Sequence, residues 1–296
     1  MKSVIILGST GMLGYGVVSS ISKYRNIELG ITVRSSKKIK DIKNLFPYKK
    51  ANHFHVLDIN KISKRMLEKI VEPYDYIINC IGIIKPEIDN LSSNSLKNAI
   101  YINSIFPKIL AEIVSSKKKK VFQIATDCVY SGKKGNYKEI SNHDDLEIYG
   151  ISKSLGEIKS NNFFNIRTSI IGRELFSKKS LVEWFLKQSN SINGFVNHNW
   201  NGITTKAFGE IVYSIIINDI KIPNSIHVIP KNYINKYDLL KLFRKKFKKK
   251  IIIKKFKAEK IIDRSLSTKY PNLVKLIWKE TIFKGAPSIQ KMINLM

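Results

Sequence analysis

Short apolar runs recur along roughly the first 170 residues, and each is separated from the next by a segment long enough for a helix. Six of these runs are rich in β-branched and aromatic residues and predict strands at residues 4–7, 29–33, 53–57, 76–80, 121–125 and 163–167. Nearly continuous apolar strands that alternate with helices indicate a parallel sheet covered on both faces. The pattern therefore predicts an α/β fold with a doubly wound, Rossmann-type parallel sheet.

Helical periodicity is clearest in three segments. The longest covers residues 91–114, where Pro107 would lie at a kink or in an early turn. Residues 181–187 and 205–217 also predict helices, whereas the polar, aromatic segment 193–201 predicts a loop.

The pattern loosens after about residue 172 and predicts a second, smaller domain. We expect residues 1–172 to form the larger domain, on which residues of about 203–222 pack back. Residues 173–202 and 223–296 would then form a smaller C-terminal α/β domain, in which short strands mix with helices. No linker rich in Gly, Ser or Pro separates the two parts.

Composition restricts the class of protein. With 296 residues, 43% of them apolar, the chain can bury a substantial core, which excludes intrinsic disorder as its main state. No apolar run reaches the roughly 18 to 20 residues that span a bilayer, and the first residues lack the apolar region of a signal peptide. Cys80 and Cys128 give neither a disulfide framework nor a metal-ligand spacing, so we expect a cytoplasmic protein without a metal.

Positive charge is the most unusual feature of the composition, with 52 Lys and Arg against 23 Asp and Glu. Lysine dominates, whereas proteins that read nucleic-acid sequence depend on arginine, so no specific nucleic acid is expected as a partner. Residues 231–260 are the densest part, with 13 basic and two acidic residues. A solvated face is the first interpretation, weak association with an acidic membrane surface the second, and nucleic-acid binding the third.

A glycine-rich turn follows the first predicted strand directly and opens a helix. Gly8, Gly11 and Gly14 permit a tight turn and close approach of the backbone to a pyrophosphate, while the helix N-terminus attracts phosphate. The motif predicts dinucleotide binding, against the alternative of a purely structural turn. Its expected cofactor contacts are Gly8, Thr10, Gly11, Met12, Leu13 and Gly14.

The end of the second predicted strand discriminates between nicotinamide cofactors. No carboxylate is present there to bind the ribose hydroxyls of NADH, and Arg34 with Ser35 can bind a 2′-phosphate instead. NADPH is therefore expected in preference to NADH. The alternative is that Arg34 and Ser35 are ordinary solvated surface residues.

Further cofactor contacts are expected where the third and fourth strands end. Asp58, followed by Ile59, could accept a hydrogen bond from an adenine amino group or cap a helix, and spacing alone leaves both open. Cys80, Ile81 and Gly82 lie at the carboxyl edge of the sheet, where ligands bind, and Gly82 would leave room for the cofactor.

Tyr149 and Lys153 are four residues apart and therefore share one face of a predicted helix. Because a nearby ammonium favours the phenolate, we expect Lys153 to lower the pKa of Tyr149 from about 10 toward the range of a general acid or base. Thr126, at the end of the fifth strand, could donate a hydrogen bond to a substrate carbonyl oxygen. A Tyr and a Lys at this spacing also occur by chance, and only the combination with Thr126 and the glycine motif indicates an active site.

With these motifs the sequence resembles the extended short-chain dehydrogenases/reductases, and within them the dTDP-4-dehydrorhamnose reductase group of nucleotide-sugar enzymes. The resemblance covers nearly the whole chain and is most specific at residues 8–14, 126–132, 137–139, 149–153, 156–157 and 166–168. It implies that Thr126, Tyr149 and Lys153 are catalytic, that Tyr149 and Lys153 also contact the cofactor, and that Asn103 lies near the nicotinamide. The substrate contacts expected from it are Asp127, Cys128, Val129, Tyr130, Asn197, His198 and Trp200. For His198 and Trp200 the alternative is a packing role.

Cys128 departs from the patterns of the related enzymes. Nucleotide-sugar dehydratases typically have Thr-Asp-Glu at this position, and the missing second acid argues against elimination of water. Reductases of the rhamnose type usually have Thr-Asp-Tyr, so the identity of the sugar stays open.

The resemblance implies NADPH-dependent reduction of the 4-keto group of a nucleotide-diphosphate 4-keto-6-deoxy sugar, for surface-polysaccharide synthesis. Tyr149 would donate the proton, Thr126 would polarise the carbonyl, and Lys153 would hold the nicotinamide ribose. The alternatives are a nucleotide-sugar epimerase with bound NAD(P) and a non-catalytic NADP-binding regulatory subunit. A homodimer is left open.

Overall fold

The backbone forms one large parallel sheet and several short sheets, with helices packed against them. The computed structural model describes residues 1–296. The strands, in chain order, are β1 (Lys2–Leu7), β2 (Ile27–Val33), β3 (His53–Val56), β4 (Tyr76–Asn79), β5 (Lys120–Ala125), β6 (Phe163–Arg167), β7 (Ile170–Ile171), β8 (Ser191–Phe195), β9 (His198–Trp200), β10 (Ile203–Thr204), β11 (Ser225–His227), β12 (Ile234–Asn235), β13 (Ile252–Phe256) and β14 (Ile262–Asp263). The α-helices are α1 (Met12–Ile21), α2 (Ser36–Ile42), α3 (Lys64–Val71), α4 (Ser93–Ile100), α5 (Phe106–Val114), α6 (Ile148–Leu155), α7 (Leu181–Lys187), α8 (Thr205–Ile217), α9 (Lys236–Lys246), α10 (Pro271–Lys279) and α11 (Ile289–Asn294).

Seven strands form the large sheet in the order β3–β2–β1–β4–β5–β6–β11, and all neighbouring pairs are parallel. Both faces of β1 are buried, since Val4 and Ile6 belong to one apolar cluster and Ile5 and Leu7 to another. The chain adds strands outward in one direction from β1 and in the other direction from β4. In open α/β sheets, ligands bind at the carboxyl ends of the strands beside this change of direction. The predicted doubly wound α/β fold is confirmed, and each of the six predicted strands is present.

The predicted long helix is present but interrupted. Helix α4 passes into a π-helical turn at Tyr101–Ile105, and α5 begins at Phe106. Pro107 lies in the first turn of α5, where its missing N–H removes little hydrogen bonding. Asn103 lies within the π-helical turn, a distortion that often occurs at functional sites.

The prediction of a loop at residues 193–201 is wrong. Strand β8 pairs in parallel with β13, and β9 lies between β12 and β14. Gly194 permits close packing of β8, because a Cβ there would lie 2.7 Å from the Cα of Tyr237. The partner strands come many residues later in the chain, so no local pattern could reveal this pairing.

Helix α8 packs along α1 and joins the later part of the chain to the helix that follows the glycine-rich turn. The helices approach closely at Gly16, where a Cβ would lie 2.2 Å from the Oγ1 of Thr205. Glu210 of α8 is buried, and its carboxylate accepts hydrogen bonds from Lys23 and Tyr24, which follow α1. None of the helices has both the length and the apolar character needed to cross a membrane.

Candidate functional site

The glycine-rich turn is held rigidly at the carboxyl end of β1. Gly8 has a φ of +76°, which side chains other than glycine rarely adopt. Its N–H donates to Thr32 Oγ1 over 2.9 Å, and the N–H of Ser9 donates to the Thr32 carbonyl. The Tyr48 hydroxyl donates to the Ser9 carbonyl over 2.6 Å. Strand β2 and the segment after α2 therefore fix the path of this turn.

The turn leaves a cradle of the kind that a pyrophosphate requires. A Cβ on Gly14 would lie 2.1 Å from the Gly8 carbonyl oxygen, so only glycine permits this contact between turn and helix. A Cβ on Gly11 would instead have no heavy atom closer than 3.6 Å and would occupy the mouth of the cavity. Helix α1 begins at Met12 without a side-chain cap, which leaves its first N–H groups for an anion. These features fit a dinucleotide.

Arg34 and Ser35 lie at the carboxyl end of β2, beside the glycine-rich turn, and both are exposed. Ser35 is the N-cap residue of α2, but its side chain makes no capping hydrogen bond. Lys38, in the first turn of α2, places its ammonium 3.4 Å from the centre of the Phe176 ring. The segment after β2 therefore carries Arg34, Ser35 and Lys38, and residues 34–40 contain no carboxylate.

Asp58 follows β3 and forms a turn. Its Oδ1 accepts from the N–H of Asn60 over 3.2 Å, and Ile59 next to it is buried. The alternative that Asp58 caps a helix is wrong, because Ser63 caps α3 by accepting from the N–H of Met66. The contact between Asp58 and adenine stays a prediction.

A cavity of about 300 Å³ opens at the carboxyl ends of β1, β4 and β5. The predicted site residues that line it are Gly11, Met12, Leu13, Cys80, Ile81, Gly82, Thr126, Asp127, Cys128, Tyr149 and Lys153. The predicted site residues outside its lining are Gly8, Thr10, Gly14, Arg34, Ser35, Asp58, Ile59, Asn103, Val129, Tyr130, Asn197, His198 and Trp200. The glycine-rich turn and the three expected catalytic side chains thus share one cavity.

Asn103 connects two walls of this cavity without lining it. Its Oδ1 accepts from the N–H of Ile83 over 3.0 Å, and its Nδ2 donates to the Ile83 carbonyl and to Ser152 Oγ, both over 3.1 Å. Because Ser152 belongs to α6, Asn103 holds the loop after β4 against the helix that carries Tyr149 and Lys153. The contact of Asn103 with a nicotinamide stays a prediction.

Thr126 and Lys153 are both anchored to β5 or to the turn after it. Thr126 Oγ1 accepts from the N–H of Cys128 over 3.1 Å. Lys153 Nζ donates to the Ile124 carbonyl over 2.9 Å. Burial lowers the pKa of Lys153 to about 8, although Glu157 acts in the opposite direction. The ammonium therefore needs a further anionic or polar partner to stay charged at higher pH.

The expected lowering of the Tyr149 pKa is wrong for the protein alone. Burial raises the pKa of Tyr149, and the neighbouring Cys128 and Asp127 add to this effect. Desolvation penalises a phenolate more than the surrounding cations stabilise it. Tyr149 is therefore a protonated phenol in the free protein, the form that a proton donor requires.

Asp127 and Cys128 form the wall beyond Thr126, and the C-terminal part of the chain supplies two cations to it. Arg264 donates to the Tyr130 carbonyl over 2.7 Å and to Asp145 over 2.9 Å, and its Nη1 lies 3.9 Å from Cys128 Sγ. Burial raises the pKa of Asp127, opposed first by the charge of Lys236. Burial also raises the pKa of Cys128 to about 12, which makes it a neutral thiol. Neither cation was predicted, since nothing local in the sequence links Arg264 or Lys236 to β5.

Tyr130 turns away from the cavity into a buried polar network. Its ring stacks on Tyr137 with 4.2 Å between ring centres, and its hydroxyl accepts from Arg167 Nη1 over 3.0 Å. Arg167 also forms a buried ion pair with Glu157, which follows α6. This pair joins β6 to the end of the helix that carries Tyr149.

The predicted substrate residues on β9 and just before it contact other parts of the chain. The Asn197 side chain bonds to both the carbonyl and the N–H of Ala258. His198 stacks on Phe195, and the Trp200 indole donates to Ser169 Oγ over 2.8 Å. Ser169 itself lines the cavity, so Trp200 acts there through Ser169.

Residues 1–194 match the family model described as the RmlD substrate binding domain. No curated protein matches the chain. Among solved structures, a dTDP-4-dehydrorhamnose reductase from Clostridium acetobutylicum is similar at 18% identity, with 99% of this chain and 97% of that chain covered and a TM-score of 0.73. The Bacillus anthracis dTDP-4-dehydrorhamnose reductase in complex with NADP has 19% identity, coverages of 99% and 98% and a TM-score of 0.73.

A third similar structure is that of an enzyme with a different activity. It is the UDP-glucuronic acid 4-epimerase from Bacillus cereus in complex with UDP-glucuronic acid and NAD, with 15% identity, coverages of 98% and 96% and a TM-score of 0.74. At these identities the three structures show a shared fold over nearly the full length of the chain.

Proposed function

The chain belongs to the RmlD substrate binding domain family, and from this premise we propose that it uses NADPH to reduce the 4-keto group of a nucleotide-diphosphate 4-keto-6-deoxy sugar. The family and its structural neighbours are NAD(P)-dependent oxidoreductases of nucleotide sugars, and the chain is an oxidoreductase of this class. One observation carries the proposal: Thr126, Tyr149 and Lys153 line the same cavity as the glycine-rich turn.

When bound, NADPH would supply a hydride to the carbonyl carbon. Thr126 would donate a hydrogen bond to the carbonyl oxygen and stabilise negative charge as it develops there. Tyr149 would then donate its phenolic proton to that oxygen. The raised pKa of Tyr149 keeps the phenol protonated and ready for this transfer. Lys153, held by the Ile124 carbonyl, would bind the nicotinamide ribose. Ile81, Ile83 and Ile84 line the cavity and would exclude water.

The choice of NADPH over NADH is supported by Arg34. A guanidinium at the carboxyl end of β2 can bind a 2′-phosphate through charge-assisted hydrogen bonds, whereas the ribose hydroxyls of NADH would need a carboxylate there. The NADP complex of the Bacillus anthracis reductase adds support, although other structural neighbours contain NAD.

We also propose that different parts of the chain bind the cofactor and the substrate. Residues 1–172, with α8 packed against α1, would bind the cofactor, and residues 173–202 and 223–296 would bind most of the substrate. The hydrogen bond of Arg264 to the Tyr130 carbonyl and the effect of the Lys236 charge on Asp127 support this division. The similarity to nucleotide-sugar reductases supports a role in surface-polysaccharide synthesis.

The direct test is NADPH oxidation, followed by absorbance, against a small panel of nucleotide 4-keto-6-deoxy sugars. The reductase proposal predicts consumption of one NADPH for each sugar reduced. Conversion of a nucleotide sugar to its epimer without net NADPH consumption would establish the epimerase instead. NADPH binding without turnover of any of these sugars would favour a regulatory subunit.

A further inference from the structure

Residues 263–269 lie across the loop that joins β5 to α6. The Asp263 N–H donates to the Gly132 carbonyl over 2.8 Å. Further along the segment, the Ser267 N–H donates to the Tyr137 carbonyl over 2.8 Å. Both are bonds between main-chain groups, so they hold this C-terminal segment at a fixed distance from the loop.

Arg264 connects the two ends of this loop. Its Nε donates to the carbonyl of Tyr130, the last residue of a wall segment (residues 126–130) whose first three residues line the cavity, over 2.7 Å. Its Nη2 donates to the Asp145 carboxylate over 2.9 Å, just before α6 begins. A guanidinium presents its donors in a rigid planar fork. One half-buried side chain therefore fixes how the wall segment lies relative to the start of α6.

Helix α6 packs directly on the wall segment and on Asp145. A Cβ on Gly150 would lie 2.5 Å from the Cys128 carbonyl oxygen and 3.0 Å from the Asp145 Cβ. No side chain therefore separates this turn of the helix from the two groups. Because Tyr149 directly precedes Gly150, movement of Cys128 or Asp145 displaces Tyr149 as well.

The charge of Arg264 acts on the same part of the cavity. Burial raises the pKa values of Asp127, Cys128 and Tyr149, and the guanidinium opposes this effect at all three. Its Nη1 lies 3.9 Å from the Cys128 Sγ. Arg264 itself is not part of the cavity lining, so it acts on the site from behind the wall segment.

We propose that Arg264 is a positioning residue for the reaction: its guanidinium braces the wall segment against the start of α6 and so holds Tyr149 in place beside the substrate carbonyl. This inference rests on the proposed function and adds to it a residue outside the cavity lining. A displacement of about 1 Å caused far from the reacting atoms can cost a rate factor of about 100. A brace behind the cavity wall can therefore control the rate of reduction.

The test compares two arginine variants. Arg264→Met keeps a long side chain and removes both hydrogen bonds, whereas Arg65→Met removes an exposed arginine from α3 and serves as the matched control. Single-turnover NADPH oxidation with the best keto sugar of the panel measures the chemical step. Because Tyr149 is displaced and the glycine-rich turn is not, we expect Arg264→Met to slow this step about tenfold or more, with unchanged NADPH affinity. Arg65→Met should match the wild type in both.

Two further variants separate geometry from charge. Arg264→Lys keeps the charge, but an ammonium cannot reproduce the fork that joins Tyr130 to Asp145, so this variant should stay slow. Asp145→Asn removes the anion of the pair and should slow the reaction too. Since residues that act as one unit are not additive, the double variant should be no slower than the slower single variant. Full recovery in Arg264→Lys, or additive losses in the double variant, would overturn the inference.

Amide hydrogen exchange measures the position of the helix without any sugar. The N–H groups of Asp144 and Asp145 both donate to the Val129 carbonyl over 3.1 Å, between the two ends of the loop. We expect Arg264→Met to speed exchange at residues 144–151, and Arg65→Met to leave it unchanged. A slower reaction with unchanged exchange would assign Arg264 to the reacting atoms themselves and contradict the positioning role. Faster exchange with an unchanged reaction rate would contradict it as well.

The two readouts separate this inference from the proposed function. If the wild type reduces no keto sugar but Arg264→Met speeds exchange at the start of α6, the brace is supported and the reductase proposal alone fails. If keto sugars are reduced and Arg264→Met reduces them as fast as the wild type, the reductase proposal stands and the inference fails.

Discussion

The carboxyl edge of the large sheet and the basic segment at residues 231–260 use charge in opposite ways. Around the cavity at the sheet edge the charges are few and paired, as in the buried pair of Arg167 and Glu157 and the half-buried pair of Arg264 and Asp145, and Arg34 is an exposed exception. The basic segment holds 13 Lys and Arg, and most are exposed. A buried charge is costly unless it is compensated. The burial of a charged side chain therefore indicates its chemical role better than the number of charges in a segment does.

Several lysines of the basic segment contribute to the fold rather than to a ligand site. Lys249 Nζ donates to the Leu186 carbonyl over 2.8 Å, and Lys246 Nζ donates to the Asn294 carbonyl over 2.6 Å. An open groove around the end of α9 gathers six basic residues, Lys241, Arg244, Lys245, Lys248, Lys249 and Lys250. The C-terminal end of a helix carries partial negative charge. This charge stabilises the nearby lysines and arginine and disfavours the binding of an anion.

The two regions should differ most in the unfolding free energy that is lost when one charge is removed. Glu157→Gln leaves the Arg167 guanidinium buried without its anion, and breaking such a pair typically costs about 3–5 kcal/mol of unfolding free energy. Lys245→Gln, in the basic segment, should change stability by less than about 0.5 kcal/mol. Urea unfolding of both variants measures this difference, and similar stabilities would remove the contrast between the regions.

A smaller loss of stability is expected at the glycine-rich turn. Gly14→Ala places a Cβ 2.1 Å from the Gly8 carbonyl oxygen and 2.7 Å from the Ser9 Cα, so the backbone must move. We expect a loss of about 2–3 kcal/mol in unfolding free energy. Gly11→Ala is the matched control, because its Cβ meets no atom closer than 3.6 Å.

Gly11→Ala should therefore leave the unfolding free energy almost unchanged and weaken NADPH binding, since its methyl group enters the cavity. Urea unfolding and NADPH titration of the two variants separate these effects. If Gly11→Ala binds NADPH as tightly as the wild type, the cradle does not hold the cofactor.

The smallest expected effect is on cofactor affinity, when the exposed charge of Arg34 at the sheet edge is removed. Arg34→Ala should weaken NADPH binding about tenfold, as expected for loss of a charge-assisted hydrogen bond, and should leave NADH binding unchanged. Lys40→Ala removes an exposed lysine from α2 and should change neither affinity. Fluorescence titration with both cofactors measures the ratio, and equal losses for NADPH and NADH would contradict the assignment of the 2′-phosphate.

Much of the fold and of the site could be predicted because the signals are local. The six predicted strands, the glycine-rich turn and the spacing of Tyr149 and Lys153 each lie within a short stretch of chain. Their common edge follows from the doubly wound topology, which brings the carboxyl ends of parallel strands together.

Long-range contacts and burial account for what could not be predicted. Strands β8 and β9 pair with segments far along the chain, and Arg264 reaches Cys128 and Asp145 from more than a hundred residues away. The direction of the pKa shift of Tyr149 depends on burial by the surrounding structure, which the spacing to Lys153 does not reveal. The Cys128 thiol and the Tyr130 ring likewise occupy different environments although they are two residues apart.

In the proposed reaction, Tyr149 donates a proton in the cavity beside the glycine-rich turn. Single-turnover oxidation of NADPH by Tyr149→Phe, with the best keto sugar of the panel, tests it most directly, and NADPH titration serves as the control. Because general acid catalysis typically contributes at least about a hundredfold, the account predicts a rate loss of that order or more with unchanged NADPH affinity. A rate equal to that of the wild type, with the same affinity, would contradict it.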